Sequence, residues 1–367
     1  MRKGYILLLG GSGAMGIYLV PELLSDGYDV VVTSRSSRRS DDPRLRYIQG
    51  DARDLSFLKE TLSSWKPLAV VDFMMYDTAE FSARLDMLLG STEHYLFLSS
   101  YRVFADSSPQ PLTERSPRLL DVCDDRIYLA SNEYALAKAS QENLLRCSGR
   151  TNWTILRPCI TYSRTRFQFG TLEAGTFCFR ALQGLPVIMA REILVKDTTM
   201  TWAGDVAKLI SRLIFNDAAW AEDFNVVTAE YQPWSEVAKY YREFLDLRVI
   251  EVDLAKYIEV VGSEYQIRYD RMYNRRMDNT KVISVTGVRQ KDFKSLRDGL
   301  EMELVDFCRK PCYSCLNIGV NARMDKVTGS SISLTPLSLS QKASYFLARY
   351  RWIRVLSGLR RFNLSTR

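Results

Sequence analysis

Tyr5-Ile6-Leu7-Leu8-Leu9-Gly10-Gly11-Ser12-Gly13-Ala14-Met15-Gly16 is the stretch that decides how this chain folds. Apolar residues running straight into glycine read as a buried parallel strand. The glycines then recur as G-x-x-G-x-x-G. Gly10 permits a tight turn, Gly13 lets the backbone approach a pyrophosphate, and Gly16 packs the following helix close to the sheet. That helix (Ile17, Leu19, Val20, Leu23 and Leu24 carry its apolar positions) would offer unpaired N–H groups and a positive dipole end to phosphates. A glycine-rich loop alone is an ordinary strand–turn–helix. Between a strand and an amphipathic segment, at the head of a βαβ pattern, it reads as a dinucleotide site with Gly10, Gly13, Ala14, Met15 and Gly16 as contacts.

Outward from this loop the alternation continues. Tyr28–Thr33 reads as a second strand, 46–48 as a third, Leu68–Met75 as a fourth, His94–Ser99 as a fifth and 154–156 as a sixth, with helix-type spacing at Leu55, Leu58 and Leu62. Strands alternating with helices imply an α/β, Rossmann-type doubly wound parallel sheet, with ligands at the carboxyl ends of the strands. Pro21, inside the first helix, is expected to kink it. Residues 172–184, 204–214, 233–247 and 292–309 read as helices, 186–189 and 224–227 as strands, 316–340 as a Ser/Thr/Gly-rich connector and 341–362 as a last amphipathic helix. The expected division is a cofactor-binding core over 1–165, to which 205–230 returns, an interleaved smaller substrate lobe over 166–315, and a connector with a basic helical tail over 316–367.

The chain has 367 residues, 46% hydrophobic and 25% charged, which suits a globular protein with a large core. No apolar run approaches the ~18 residues of a spanning helix, and with a strand expected at residue 5 no leader is expected. The seven cysteines are scattered, so reduced thiols and a cytoplasmic location are expected. The formal charge of +7 resides in the tail: residues 317–367 carry nine Lys/Arg against Asp325 alone. The body offers no case for nucleic-acid binding.

A second signal is Tyr134-Ala-Leu-Ala-Lys138, preceded by Ser99-Ser100-Tyr101-Arg102-Val103-Phe104-Ala105. A Tyr and a Lys four apart share one helix face. An ammonium beside a phenol favours phenolate, making Tyr134 an acid/base for an alcohol whose carbon gains or loses hydride. Ser100 would hold the same oxygen. A lone Y-x-x-x-K is common by chance; together with the glycine loop and the Ser-Ser strand end, chance becomes a poor explanation.

With these residues the chain resembles the extended short-chain dehydrogenase/reductase family, the nucleotide-sugar epimerase/dehydratase branch, over residues 4 to 250. Gly50-Asp51, the strand Val70–Met75, Arg157-Pro158 and Gly204-Asp205-Val206-Ala207 complete the pattern. The resemblance implies that Ser100, Tyr134 and Lys138 are catalytic, that Lys138 also holds the nicotinamide ribose, and that Asp51 with Ala52 reaches the adenine. Family dehydratases and decarboxylases carry acids where this chain has Tyr101 and Arg102, which leaves ketone reduction, alcohol oxidation or epimerisation. The gap from Ser100 to Tyr134 holds an insert around 119–127. The family's Arg-Asp-Phe is replaced by Thr198-Thr199-Met200, so Arg164, Arg166, Arg191 and Lys196 are candidates for the nucleotide phosphates. Met75, Tyr101 and Arg102 are candidates for the site wall.

At the end of strand two an acid would choose NAD, and an arginine accommodates a 2′-phosphate. Ser34 and Arg35 stand there, with Arg38 and Arg39 nearby, favouring NADP(H) over NAD(H) and hence net reduction. The expected activity is an NADP-dependent ketoreductase acting on a nucleotide-activated sugar; an NAD-dependent epimerase, and a non-catalytic dinucleotide-binding scaffold on the same fold, are the alternatives. Cys308-x-x-x-Cys312-x-x-Cys315 has an iron–sulfur spacing, but 52 residues after Cys315 are too few for the accompanying barrel, so no metal is expected. His94 is read as structural. In the tail, Tyr345, Phe346, Tyr350, Trp352, Ile353, Leu356 and Leu359 sweep an apolar arc flanked by arginines; packing on the body or on a second copy in a homo-oligomer is preferred over membrane contact.

Overall fold

The computed structural model describes residues 4–106, 110–313 and 315–350. The chain divides into two units, the first from residues up to 164, Thr198–Tyr231 and Asn274–Leu300, the second from Thr165–Asp197, Gln232–Tyr273 and residues from 301 onward.

The first unit is a seven-stranded parallel sheet. Its strands are β1 (Tyr5–Leu9), β2 (Asp29–Ser34), β3 (Leu45–Gln49), β4 (Ala69–Asp72), β5 (His94–Leu98), β6 (Trp153–Arg157) and β7 (Glu222–Asn225), in the order β7-β6-β5-β4-β1-β2-β3. Strand order reverses between β1 and β4, which is where such sheets open a ligand crevice. β1 is buried along Ile6–Leu9 because both faces are covered. One face carries α1 (Gly16–Ser25) with the later helix α5 (Ala203–Leu213), packed through Leu19, Leu23, Val206 and Ile210. The other carries α2 (Leu55–Trp65), α3 (Thr78–Gly90) and α4 (Tyr134–Arg146), through Leu58, Leu62, Phe81, Leu85 and Leu145. α1 runs through Pro21 without interruption, one turn past its start.

Two strands are shorter or longer than their apolar runs suggest. β4 stops at Asp72, where the Asp72 carboxylate takes the Met74 N–H at 2.9 Å and turns the chain. β6 extends to Arg157, whose charge is satisfied inside the fold. The insert before Tyr134 forms two short helices, Leu119–Val122 and Arg126–Ala130.

The second unit corrects two expectations. Residues 172–184 are not one helix: Gln168–Phe169 and Leu172–Glu173 form a small antiparallel hairpin and only Phe177–Ala181 is helical. Glycines explain the break, since Gly170 sits at φ +56° and Gly175 lies against the Cys315 carbonyl, where a Cβ would come within 1.7 Å. The stretch 316–340 is not a plain connector either. Ile318–Thr328 is a helix capped by the Asn317 side chain, with Ile318, Val320, Ala322 and Met324 buried. The last helix among the described residues runs Leu339–Arg349, capped by Ser338, and buries Tyr345 against Ile318, Ala322, Ile332 and Leu337. Trp352, Ile353, Leu356 and Leu359 lie outside the described residues. Asp325, fully buried, accepts from Ser330, Tyr345 and the Ile332 N–H and pairs with Arg180 at 2.9 Å.

Candidate active site

The loop after β1 is built by its glycines. Gly10 adopts φ +70°, and its N–H donates to Thr33 Oγ1 at 2.9 Å, tying β1 to β2. A Cβ on Gly16 would stand 2.0 Å from the Gly11 carbonyl oxygen, so the helix start admits no side chain. Gly13 differs. A Cβ there would meet only the Gly10 carbonyl, at 3.7 Å. The fold therefore leaves room for a side chain at Gly13, and the open backbone beside the first turn of α1 is a cradle fitting a pyrophosphate. Ala14 and Met15 complete this turn, Met15 in the N-cap position.

At the end of β2, Ser34 is buried and its Oγ accepts the Ser36 N–H at 3.3 Å, while Arg35, Arg38 and Arg39 are exposed. No acid occupies the strand end. Asp51 is exposed after β3 and takes the Arg53 N–H at 3.0 Å; Ala52 packs its methyl into the core. These residues fit the adenosine end of a dinucleotide.

β5 delivers the two serines. Ser100 is 6% exposed and its Oγ accepts the Arg102 N–H at 3.2 Å. Ser99 points the other way, donating to Glu142 Oε1 at 2.6 Å. Tyr134 is half-buried at the first residue of α4, beneath the Arg102 guanidinium at 5.1 Å from its ring. Lys138 follows one turn later, 2% exposed, its Nζ donating to the Leu98 carbonyl at 2.7 Å and lying 4.6 Å from the centre of the Phe97 ring. Burial pushes the Lys138 amine down to about 8, with Asp72 and Glu142 opposing the fall.

Glu142, one further turn along α4, anchors the arrangement. It is fully buried and takes Arg157 at 2.8 and 2.7 Å and Arg118 at 3.1 Å. Burial opposes its ionisation, but these partners and Ser99 hold its carboxyl below the usual range. Arg157 also pairs with Asp223 at 2.6 Å, on neighbouring β7. Tyr134, Lys138 and Glu142 follow one another at single-turn steps, so the sequence carries a signal for Glu142 that the Tyr/Lys pattern alone does not use.

The remaining candidates separate. Tyr101 is 3% exposed, under Arg275 at 5.6 Å. Arg102 is committed to Glu133 at 2.5 Å. Met75 is 66% exposed. Arg164 ends the first unit's opening segment and is exposed. Arg166 and Arg191 belong to the second unit, where they face Glu173 and Glu251 at 3.8 Å each. Thr198 and Thr199 are buried, Thr199 donating to the Arg275 carbonyl at 2.8 Å, so this strand end is structural in the absence of an arginine. His94 is structural, as expected, bridging Thr154 at 2.8 Å and the Phe215 N–H at 3.0 Å. Cys308, Cys312 and Cys315 are exposed free thiols, and among the described residues no group of His, Cys, Asp or Glu is placed to hold a metal. Among the described residues no helix is long and apolar enough to cross a membrane.

Comparison with known proteins agrees with this architecture. A UDP-glucose 4-epimerase of Lacticaseibacillus casei is 40% identical over 74 residues, 19% of this chain and 22% of that protein. A chloroplast stem-loop binding protein of Arabidopsis thaliana is 24% identical over 64% of this chain and 61% of its own length. The chain thus spans about a fifth and about three fifths of these curated relatives. Among solved structures, a dTDP-glucose 4,6-dehydratase of Bacillus anthracis in complex with NAD superposes with a TM-score of 0.65 at 14% identity, covering 84% of this chain and 97% of that one. Residues 6–226 match a family model, and with the parallel sheet and glycine loop in place the chain belongs to the NAD dependent epimerase/dehydratase family.

Proposed function

We propose that this protein is an NADP(H)-dependent oxidoreductase of ketoreductase type, acting on a nucleotide-activated sugar. The observation that carries the reading is the set of Ser100, just after β5, and Tyr134 and Lys138 on α4, in the same sheet unit as a glycine loop whose Gly13 is left open by the fold. Bound NADP(H) supplies or accepts the hydride. Tyr134 then gives its phenolic proton to the substrate oxygen or takes one from it, and Ser100 hydrogen-bonds that oxygen and fixes its position. Lys138, as an ammonium, favours the phenolate between turnovers. A scaffold would need none of these three groups.

Ser34 and Arg35 support NADP(H) over NAD(H), since a hydroxyl and a cation receive a 2′-phosphate where an acid would repel it. An NAD-dependent nucleotide-sugar epimerase is the second reading, favoured by the 40% identity to a UDP-glucose 4-epimerase across a short stretch. Calorimetry with NADPH and NADH separates them. The proposal expects tighter NADPH binding and a preference that shrinks about tenfold or more in Arg35→Ala, the loss of one charge-assisted contact. Tighter NADH binding by the unaltered chain would transfer the argument to the epimerase.

A further inference from the structure

Lys138 is a cation enclosed in protein. Its immediate ligand is a neutral carbonyl, Leu98, and its amine lies over Phe97. A buried ammonium in such surroundings loses its proton unless a counter-charge stands near. Glu142, on the same helix, is already spent on Arg157, Arg118 and Ser99. A second buried carboxylate, Asp72, is 1% exposed at the last residue of β4. Asp72 is the direct cross-strand partner of Phe97. It therefore stands beside the ring that Lys138 covers, one residue from the carbonyl that Lys138 bonds.

We propose that Asp72 is the counter-ion that holds Lys138 in its ammonium form, and is thereby a positioning residue that acts through Lys138 on Tyr134. The consequence for turnover rests on the reading of Tyr134 and Lys138 given above. Three donors hold Asp72 ready for this role: Tyr95 Oη at 2.8 Å, the Met74 N–H at 2.9 Å and Tyr76 Oη at 3.5 Å. Burial holds its carboxyl above the ordinary range, and the Met74 amide, Tyr95 and Lys138 oppose that rise. Arg84, on α3, is the other cation of this pocket; it lies over Tyr76 at 4.0 Å and donates to the Glu80 and Arg53 carbonyls. Around Asp72 stand Tyr95 from β5 and Tyr76 from the turn after β4, with Arg84 of α3 over Tyr76, while Lys138 shares its helix with Tyr134 and Glu142. Asp72 and Glu142 both favour its charged form, and burial opposes it.

The test reads Lys138 itself and needs no substrate. The chain is labelled with carbon-13 at the lysine ε position, the Lys138 resonance is assigned by its loss in Lys138→Arg, and its titration is followed by NMR. Asp72→Asn should lower the Lys138 midpoint by about one unit or more, a tenfold change in proton affinity, whereas Asp72→Glu should keep it within about half a unit. An unmoved midpoint in Asp72→Asn overturns the proposal. If the asparagine variant fails to fold, the carboxyl carbon of Asp72 in the unaltered chain decides the same point: an ionised Asp72 at neutral pH supports the pairing, a protonated one ends it. Failure to find turnover would leave these titrations unaffected, so it counts against the enzymatic reading alone.

Discussion

At the scale of single residues, the glycine loop separates what the fold needs from what a ligand needs. Gly16 has no space for a Cβ, because the Gly11 carbonyl would lie 2.0 Å away, whereas Gly13 has space and no use for it within the protein. Gly16→Val is therefore expected to destabilise the chain severely, by overpacking of about 1–3 kcal/mol or more. Gly13→Val should leave the thermal melt within ~0.5 kcal/mol of the unaltered protein and abolish NADPH binding, because the side chain occupies the cradle. Melts and calorimetry on the two variants check both halves; retained NADPH affinity in Gly13→Val would remove the loop from the site. The same residues are legible in the sequence because turn geometry and phosphate contact demand glycine at fixed spacing. Asp72 is not. Its side chain matters through Phe97, Leu98 and Lys138, partners that only strand pairing brings beside it.

At the scale of elements, periodicity locates most of the sheet strands to within one or two residues, since an apolar run covered on both faces leaves a plain signal. It fails where polar side chains or glycines end an element early, as Asp72 ends β4 and Gly170 and Gly175 divide the segment 172–184. The helix at Ile318–Thr328 is hidden because its buried face includes Asn321 and Asp325, polar residues that hydrophobicity patterns count as outside. Helix α5 carries a related feature that pH exposes. Asp205 in its first turn is 7% exposed, and burial pushes its carboxyl up to about 6, against the Lys294 N–H that it accepts at 2.8 Å. Here the folded chain binds the proton more tightly than the unfolded chain, whose carboxyl titrates near the ordinary value of 3.8. Stability from this group is therefore present at low pH and is lost as pH rises from about 4 to about 6, by roughly 2–3 kcal/mol. Asp205→Asn keeps the acceptor and should be more stable than the unaltered chain at pH 7, with the gap closing below pH 4. Urea unfolding at several pH values checks the slope; an Asn variant that is less stable at pH 7 contradicts it.

At the scale of the whole molecule, the sequence discloses the parallel sheet and its glycine loop better than the second unit, whose short strands and interrupted helices carry weak periods. The C-terminal helix illustrates the difference. Its aromatic arc suggests a surface for another copy, yet its described half buries Tyr345 in its own unit and joins it to Asp325. Truncation after Thr335 removes Leu337 and Tyr345 from that core, at about 1.5–3 kcal/mol each. Calorimetric melting should then show a second unit destabilised by several kcal/mol, with NADPH binding preserved by the sheet unit that holds the glycine loop. Loss of NADPH binding in the truncated chain would contradict the assignment of the cofactor to that unit.

The activity itself is a claim about the whole assembly of loop, strand end and helix, and it turns on the proton that Tyr134 carries. The measurement that tests it most directly is the oxidation of NADPH by the protein and by Tyr134→Phe, read as loss of the reduced nicotinamide absorbance over a panel of keto-sugars linked to nucleoside diphosphates. Turnover with at least one member, reduced about 10²–10⁴-fold in Tyr134→Phe at unchanged NADPH affinity, is the expected result. Turnover in Tyr134→Phe equal to that of the unaltered chain would contradict the account.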